Sequence, residues 1–344
     1  MYIHQHICIF PQSSGGFNQA QDLKPSVEGK LIADEPVLDG VPPGMIRRMS
    51  KAVKMGIGAG LPLLKQNPTE GIIIGTANGG MEDCIKFLNQ VIDYDEGLLT
   101  PANFVQSTPN AIAGLQSLLT QNRGYNATHV HQGLAFENAL LDAQMLVEEK
   151  PGRNFLVGGV DEISSYNYNI DFMAGWYSKS KTSSFLYDTG TPQTIAGEGA
   201  AMFIVNDRAQ GACAHLEAFS FFESDNPLVV ENRFRGFIEK LVPDRKNTLF
   251  LSGQNGDSRQ LPLYTRCEEV FGSAIPVARF KHLTGEYPTA SAFALWLACY
   301  ALEQQQLPDH LYKNEHSMRQ IDRVVIYNQY QGKQHSFMLV SRVA

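Results

Sequence analysis

Long apolar runs are missing from this chain of 344 residues. No stretch approaches the roughly 20 apolar residues that a membrane span needs, so no membrane partner is expected. Cysteine is sparse: Cys8, Cys84, Cys213, Cys267 and Cys299 are scattered, with no CxxC spacing. They read as reduced thiols in a cytoplasmic setting rather than as disulfide staples or a spaced zinc motif, and no metal is expected. Charge is modest at 18%, and 35 acidic against 28 basic residues give a formal net charge of -7. That balance argues against a nucleic-acid partner. The opening residues MYIHQHICIF lack a basic n-region and a small-residue cleavage site, and read as a first β-strand. The loop 76–80 (TANGG) lacks both a P-loop lysine and Rossmann spacing. It is no phosphate cradle, and no cofactor is expected.

The most informative lack is a nucleophile at an elbow. A strand over 125–132 (YNATHVHQ) leads to a turn at Gly133 and an apolar helix from about 134 to 148. A second strand over 154–160 follows the stop Pro151-Gly152. A strand, sharp turn and helix is how α/β enzymes aim a serine or cysteine, with the helix N-terminus stabilising a thiolate or oxyanion. Glycine cannot attack. The segment reads as a catalytic scaffold without its reacting atom.

Elsewhere the pattern alternates strand and helix. A helix is expected over 45–65, with Gly56, Gly58 and Ala59 suited to close packing, then a buried strand over 71–75 and helices from 81 and over 110–119. Residues 166–186 read as an aromatic, irregular cap or interface loop. Strands at 201–205 and 213–222 look paired with each other; a short helix follows at 234–241 and a strand at 248–251. Then come a helix near 264–271, a strand at 275–279, a long helix at 290–304 and closing strands at 323–328 and 336–340. The loops holding Asn78-Gly79 and Asn255-Gly256 each follow a strand and precede a helix, an internal echo of duplicated halves. The expected division is an N-terminal half over 1–165, a cap or linker over 166–200 and a C-terminal half over 201–344.

Eight segments, in order, resemble the β-ketoacyl synthases of the thiolase superfamily: IRRMSKAVKMGI, GIIIGTANGGMED, FVQSTPNAIAG, the elbow, FLVGGVDE, GEGAAMFIV, KHLTGE and the closing strands. The wording FVQSTPNAIAG with THVHQGLAFENALLDA is similar to divergent ketosynthase-like proteins of aryl-polyene or flexirubin-type pathways. The resemblance implies a five-layer αβαβα thiolase-like α/β fold of two pseudo-repeated halves. It also implies a dimer working on chains delivered by acyl carrier protein.

An active ketosynthase needs a cysteine to carry the acyl chain and histidines to stabilise charge during decarboxylation and attack. By the resemblance the cysteine position is Gly133, nine residues after Gly124 of the Arg123-Gly124 pair. The first histidine position falls at Ser252 and the second, in a Lys-x-x-Thr-Gly-His motif, at Glu286, while Lys281, Thr284 and Gly285 match. A carboxylate there repels both the malonyl carboxylate and the developing oxyanion. This pattern looks like that of chain length factors, which pair with an active ketosynthase.

Other candidates have two readings each. His129 and His131 share one strand face and suggest a metal, but no third ligand has recognisable spacing, so hydrogen-bonded histidines are expected instead. Glu286 is an acid or base of a reassigned reaction, or a carboxylate paired with Lys281. Arg47, Arg48, Lys51 and Lys54 form one charged helical face, which is either plainly solvated or a dock for acidic carrier protein. Phe104, Val105 and Gln106 match a loop that reaches the acyl tunnel at the dimer interface, and Phe136 belongs with them. Tyr330, in the stretch QYQG over 329–332, falls where ketosynthases keep a gating phenylalanine. The expected function is a non-catalytic partner of an active ketosynthase. The alternatives are an acyltransferase or decarboxylase using Glu286, Ser252, His129 or His131, and a homodimer that binds acyl groups or carrier protein.

Overall fold

A computed structural model describes every residue except 15, 98, 189, 273–274, 316–317 and 344, and only the backbone of Ala102. The elements run β1 (Tyr2–Ile9), α1 (Pro43–Ile46), α2 (Lys51–Gln66), β2 (Gly71–Gly75), α3 (Met81–Asp93), α4 (Pro101–Gln106), α5 (Ala111–Thr120) and β3 (Tyr125–His129). Next come α6 (Ala135–Glu149), β4 (Phe155–Asp161), α7 (Ser165–Met173), β5 (Gly199–Asn206), β6 (Ala214–Glu223), α8 (Pro227–Leu241) and β7 (Thr248–Ser252). The chain closes with α9 (Leu261–Phe271), β8 (Val277–Arg279), α10 (Lys281–Thr284), α11 (Ala290–Gln304), β9 (Arg323–Tyr330) and β10 (Gln334–Ser341).

The strand order is β3-β2-β4-β5-β1-β6-β10-β9-β7-β8. Replacing each strand of the first half by the one five later, and reading from the other end, gives the second half. The directions repeat too. In the first half β2 is parallel to β3 and β4, and β5 is antiparallel to β4 and β1. In the second, β7 is parallel to β8 and β9, and β10 is antiparallel to β9 and β6. Among the described residues, the halves meet in the sheet at Tyr2↔His215 and Ile3↔Ala214.

Alternation along the strands builds five layers. In β2, Ile73 faces a central cluster with α6 and α11, while Ile72 and Ile74 face α2 and α5 on the outside. In β9, Ile326 faces the centre, and Val325 and Tyr327 face α8 and α9. Helix α11 is apolar all round, as a helix between two sheets must be. The small residues of α2 act as expected: a Cβ on Gly56 would lie 2.5 Å from the Ile112 side chain, so α2 and α5 pack at glycine distance. The fold is the thiolase-like one expected from the sequence.

Several local expectations need correcting. The helix expected over 45–65 is broken, with Ser50 extended ahead of α2, so Arg47 and Arg48 lie in a turn and share no helix with Lys51 and Lys54. Strands β5 and β6 do not pair with each other; each pairs with β1. Consequently β5 lies wholly in the first half-sheet and the 200/201 boundary passes through it. The stretch 166–186 contains most of α7. Helix α8 starts well before residue 234, because Pro227 sits at its first turn and the Asn226 side chain caps the Leu228 N–H at 3.0 Å. Among the described residues, no helix is long and apolar enough to cross a membrane.

Candidate functional site

Strand β3 ends at His129, a 3-10 turn covers Gln132–Leu134, and α6 begins at Ala135. The backbone strain of the elbow falls on Gln132, with φ of 46° in the left-handed region. Gly133 is buried, and its N–H donates to Gln334 Oε1 at 2.8 Å. A Cβ at position 133 would lie 2.2 Å from Tyr330 Cβ and 2.7 Å from its Cγ. The volume a side chain would need is therefore already taken by another one. Tyr330 is held there by a tight hairpin: Gln331 and Gly332 have φ of 53° and 71°, and Lys333 N–H donates to the Tyr330 carbonyl at 3.1 Å. Left-handed conformation at both central positions matches the twist of the flanking β9 and β10.

Glu286 lies just beyond α10 and has both oxygens engaged. Lys281 donates to Oε1 at 2.6 Å and Asn255 Nδ2 donates to Oε2 at 2.8 Å. Its backbone is clamped as well, since Glu286 N–H donates to Ile195 O and Gly197 N–H to Glu286 O, each at 2.9 Å. Lys281 and Glu286 are both buried. Burial pushes the Glu286 carboxyl up and the Lys281 ammonium down, and their mutual attraction opposes both shifts. Ser252, at the end of β7, turns elsewhere and donates to Glu268 Oε1 on α9 at 3.1 Å. The loop side chain that reaches Glu286 is Asn255, not Ser252.

Two buried acids lie near the site: Asp161, which sequence does not single out, and Glu137, which enters from sequence only as a speculative metal partner of His129 and His131. Asp161 closes β4 and accepts from the Ala77 and Asn78 N–H groups at 2.9 Å each and from Thr289 Oγ at 2.8 Å. It ties the loop after β2 to the loop before α11. Burial pushes its carboxyl up to about 6, against the pull of those donors. Glu137, on the buried face of α6, is likewise pushed up to about 6 by burial, with the Ser291 and Ser336 hydroxyls and the Lys281 charge pulling back. The available signal was a carboxylate inside an otherwise apolar stretch, as in VGGVDE and LAFENALL.

The remaining candidates separate. His129 Nε2 lies 2.8 Å from Asp142 Oδ2, while His131 is about half exposed beside Asn138 and Glu223. They do not converge. Lys51 forms an ion pair with buried Glu198, and Lys54 pairs with Glu35 at 2.8 Å; Arg47 and Arg48 are exposed. Phe104, Val105 and Gln106 lie on helix α4 instead of a loop, because Pro101 starts a turn there. Phe104 and Val105 are exposed, and Gln106 accepts from the Ser50 N–H at 2.9 Å. Phe136 is fully buried in the central layer, 6.0 Å from the Phe203 ring centroid. A cleft of about 20 Å³ lies beside Asp171, Tyr177, Gly197 and Tyr287. A far larger cavity, about 770 Å³, opens between Met45, Arg48, Val53, Pro101, Val105 and Leu115. Space for an apolar ligand or partner is thus present at the α1–α2–α4–α5 surface.

Residues 22–171 match the family described as beta-ketoacyl synthase, N-terminal domain. No curated protein sequence matches the chain. Among solved structures, a beta-ketoacyl synthase from Burkholderia phymatum superposes with a TM-score of 0.76 at 14% identity, over 100% of this chain and 99% of that one. A ketosynthase in complex with its chain length factor from Xenorhabdus doucetiae gives 0.74 at 13% identity, over 99% and 97%. The ishigamide ketosynthase/chain length factor gives 0.74 at 13% identity, over 100% and 99%. The chain thus has the thiolase-like fold of the ketosynthases throughout, and its residues 22–171 match the N-terminal domain of that family.

Proposed function

We propose that this chain is a non-catalytic ketosynthase homologue that pairs with an active β-ketoacyl synthase, as a chain length factor does. The observation that carries the reading is the contact of Gly133 with Tyr330. Where the resemblance places an acyl-carrying cysteine there is no side chain, and the vacated volume is filled from β9. At the second expected histidine, a carboxyl group with both oxygens bonded offers nothing to a thioester carbonyl.

Pairing is supported by the edge of the sheet. Strand β3 stands at one end of the strand order. Leu118 of α5, which packs on β3, and Val130, just past its end, are exposed, as are Leu88 and Ile92 of α3 and Phe104 and Val105 of α4. An unpaired edge flanked by large apolar side chains is a surface to be covered. Two of the superposed structures are described as a ketosynthase with its chain length factor. We assign Phe104, Val105 and Gln106 to the subunit boundary, where they limit the growing chain. Arg47 and Arg48 are assigned to acidic carrier protein, and the complex to cytoplasmic polyene synthesis of the aryl-polyene or flexirubin type.

The test is co-expression with an active ketosynthase that keeps its Cys–His–His set. A stable one-to-one complex that makes 3-oxoacyl product, while this chain alone makes none, is expected. A chain that stays a self-paired dimer beside such partners, or condenses by itself, contradicts the reading.

A further inference from the structure

A second group of reactive side chains lies where the two halves of the fold join, far in sequence from the elbow. His6 of β1, Cys213 just before β6 and Cys299 of α11 have their ligating atoms all within 4.8 Å of one another. Among the described residues it is the one cluster of His, Cys, Asp or Glu that could hold a metal ion. Its parts come from β1, the lead into β6 and α11. Cys213 is set by its own N–H, which donates to Ile3 O at 2.8 Å, and Cys299 is fully buried.

The histidine carries a second, independent indication. Its side chain is 10% exposed, its Nε2 lies 3.0 Å from Glu303 Oε2, and its buried Nδ1 faces the Cys213 thiol rather than an oxygen or nitrogen partner. A carboxylate on one ring nitrogen fixes the proton there and leaves the other as a directed lone pair, the arrangement that orients metal-bound histidines. Cys299 and Glu303 are four residues apart on α11, so one helical face supplies both a ligand and the group that orients another. The Trp296 ring, 6.3 Å from His6, lies on the same helix one turn earlier.

We propose that His6 Nδ1, Cys213 Sγ and Cys299 Sγ bind one zinc ion, with Glu303 holding the imidazole from outside. Two thiolates and an imidazole suit a borderline-soft, tetrahedral ion, with a water completing the shell. Zinc bond lengths place neighbouring donors about 3.5–4 Å apart, a small rotation of the side chains from their present spacing. Binding releases both thiol protons to solvent, with no change of oxidation state. The ion joins β1, the lead into β6 and α11 at the place where, among the described residues, the sheet pairs the halves at two positions, so its role is to lock the halves together.

The test uses the full chain, reduced, stripped of metal and titrated with zinc against a chromogenic chelator. One zinc per chain is expected. Cobalt substituted for zinc should show thiolate-to-metal absorption and the visible bands of a tetrahedral site. Cys213→Ser and His6→Gln, with circular dichroism confirming the fold, should weaken zinc binding by roughly 100-fold or more, and Glu303→Gln by about 10- to 100-fold. Cys84→Ser should leave it unchanged. Failure to bind stoichiometric zinc, or equal affinity in Cys213→Ser and the native chain, overturns the proposal.

Discussion

Tyr330 stands where the first atom of any side chain at position 133 would have to go. The separation between that Cβ and Tyr330 Cβ would be 2.2 Å, well inside van der Waals contact. Because the clash is with Cβ itself, shortening the tyrosine to alanine does not relieve it. Gly133→Ala and Gly133→Cys should each destabilise by about 1–3 kcal/mol through overpacking. Adding Tyr330→Ala should leave that penalty in place, whereas adding Tyr330→Gly should remove part of it. A double-mutant cycle on thermal or denaturant unfolding measures the coupling.

The Lys281–Glu286 pair gives a second prediction. Lys281→Met strands a buried carboxyl and should cost about 3–5 kcal/mol, while the double replacement Lys281→Met with Glu286→Leu should cost less than that single change. If the double variant is as unstable as Lys281→Met alone, the pair is not what fixes Glu286. Asn255→Ala removes the donor to the second oxygen and should destabilise by about 1–3 kcal/mol.

Glu137 sets a pH dependence. Its carboxyl rises from 4.5 to about 6 on folding, with burial as the main cause. The folded state therefore holds the proton more tightly, so this stabilisation is complete below about pH 4 and is lost as pH rises through 6. The loss is on the order of 2 kcal/mol by pH 8. Glu137→Gln, which cannot ionise, should narrow the gap between melting temperatures at pH 5 and pH 8. An unchanged gap contradicts the assignment.

Much of the architecture was legible because it is written in local periodicity. Helix α11 was expected at its observed bounds, since a largely apolar stretch of that length fits a helix packed on all sides. Helix α7 was not, because SYNYNIDFM mixes aromatic and polar residues without a clear face. Pairing of β5 and β6 with β1 is non-local, and adjacency in sequence suggested the wrong partner. At the site, Glu286 with Lys281 was readable from a five-residue separation. Tyr330 against Gly133 was not, because the two come from opposite halves of the duplicated sheet. His6, Cys213 and Cys299 share no spacing motif for the same reason. The single helical face of cations was not realised, because the chain is extended at Ser50, and sequence alone does not say that Lys51 meets buried Glu198 while Lys54 meets exposed Glu35.

The surface assignments separate by charge and by shape. Phe104→Glu with Val105→Glu should weaken assembly with an active ketosynthase while leaving the melting temperature of the isolated chain nearly unchanged, as both side chains are exposed. Arg47→Glu and Arg48→Glu should instead leave assembly intact and lower carrier-protein affinity roughly two- to fivefold each at low salt. Lys51→Met should destabilise the isolated chain, because buried Glu198 loses its partner. Size-exclusion chromatography, carrier-protein titration and melting curves on the same variants distinguish the three outcomes.

The most direct measurement is intact-mass analysis of both subunits after incubation with acyl- and malonyl-carrier protein. The account predicts an acyl adduct on the active ketosynthase, none on this chain, and no 3-oxoacyl product when this chain is present alone. An acyl group covalently held by this chain, or product formed without the second subunit, would contradict it.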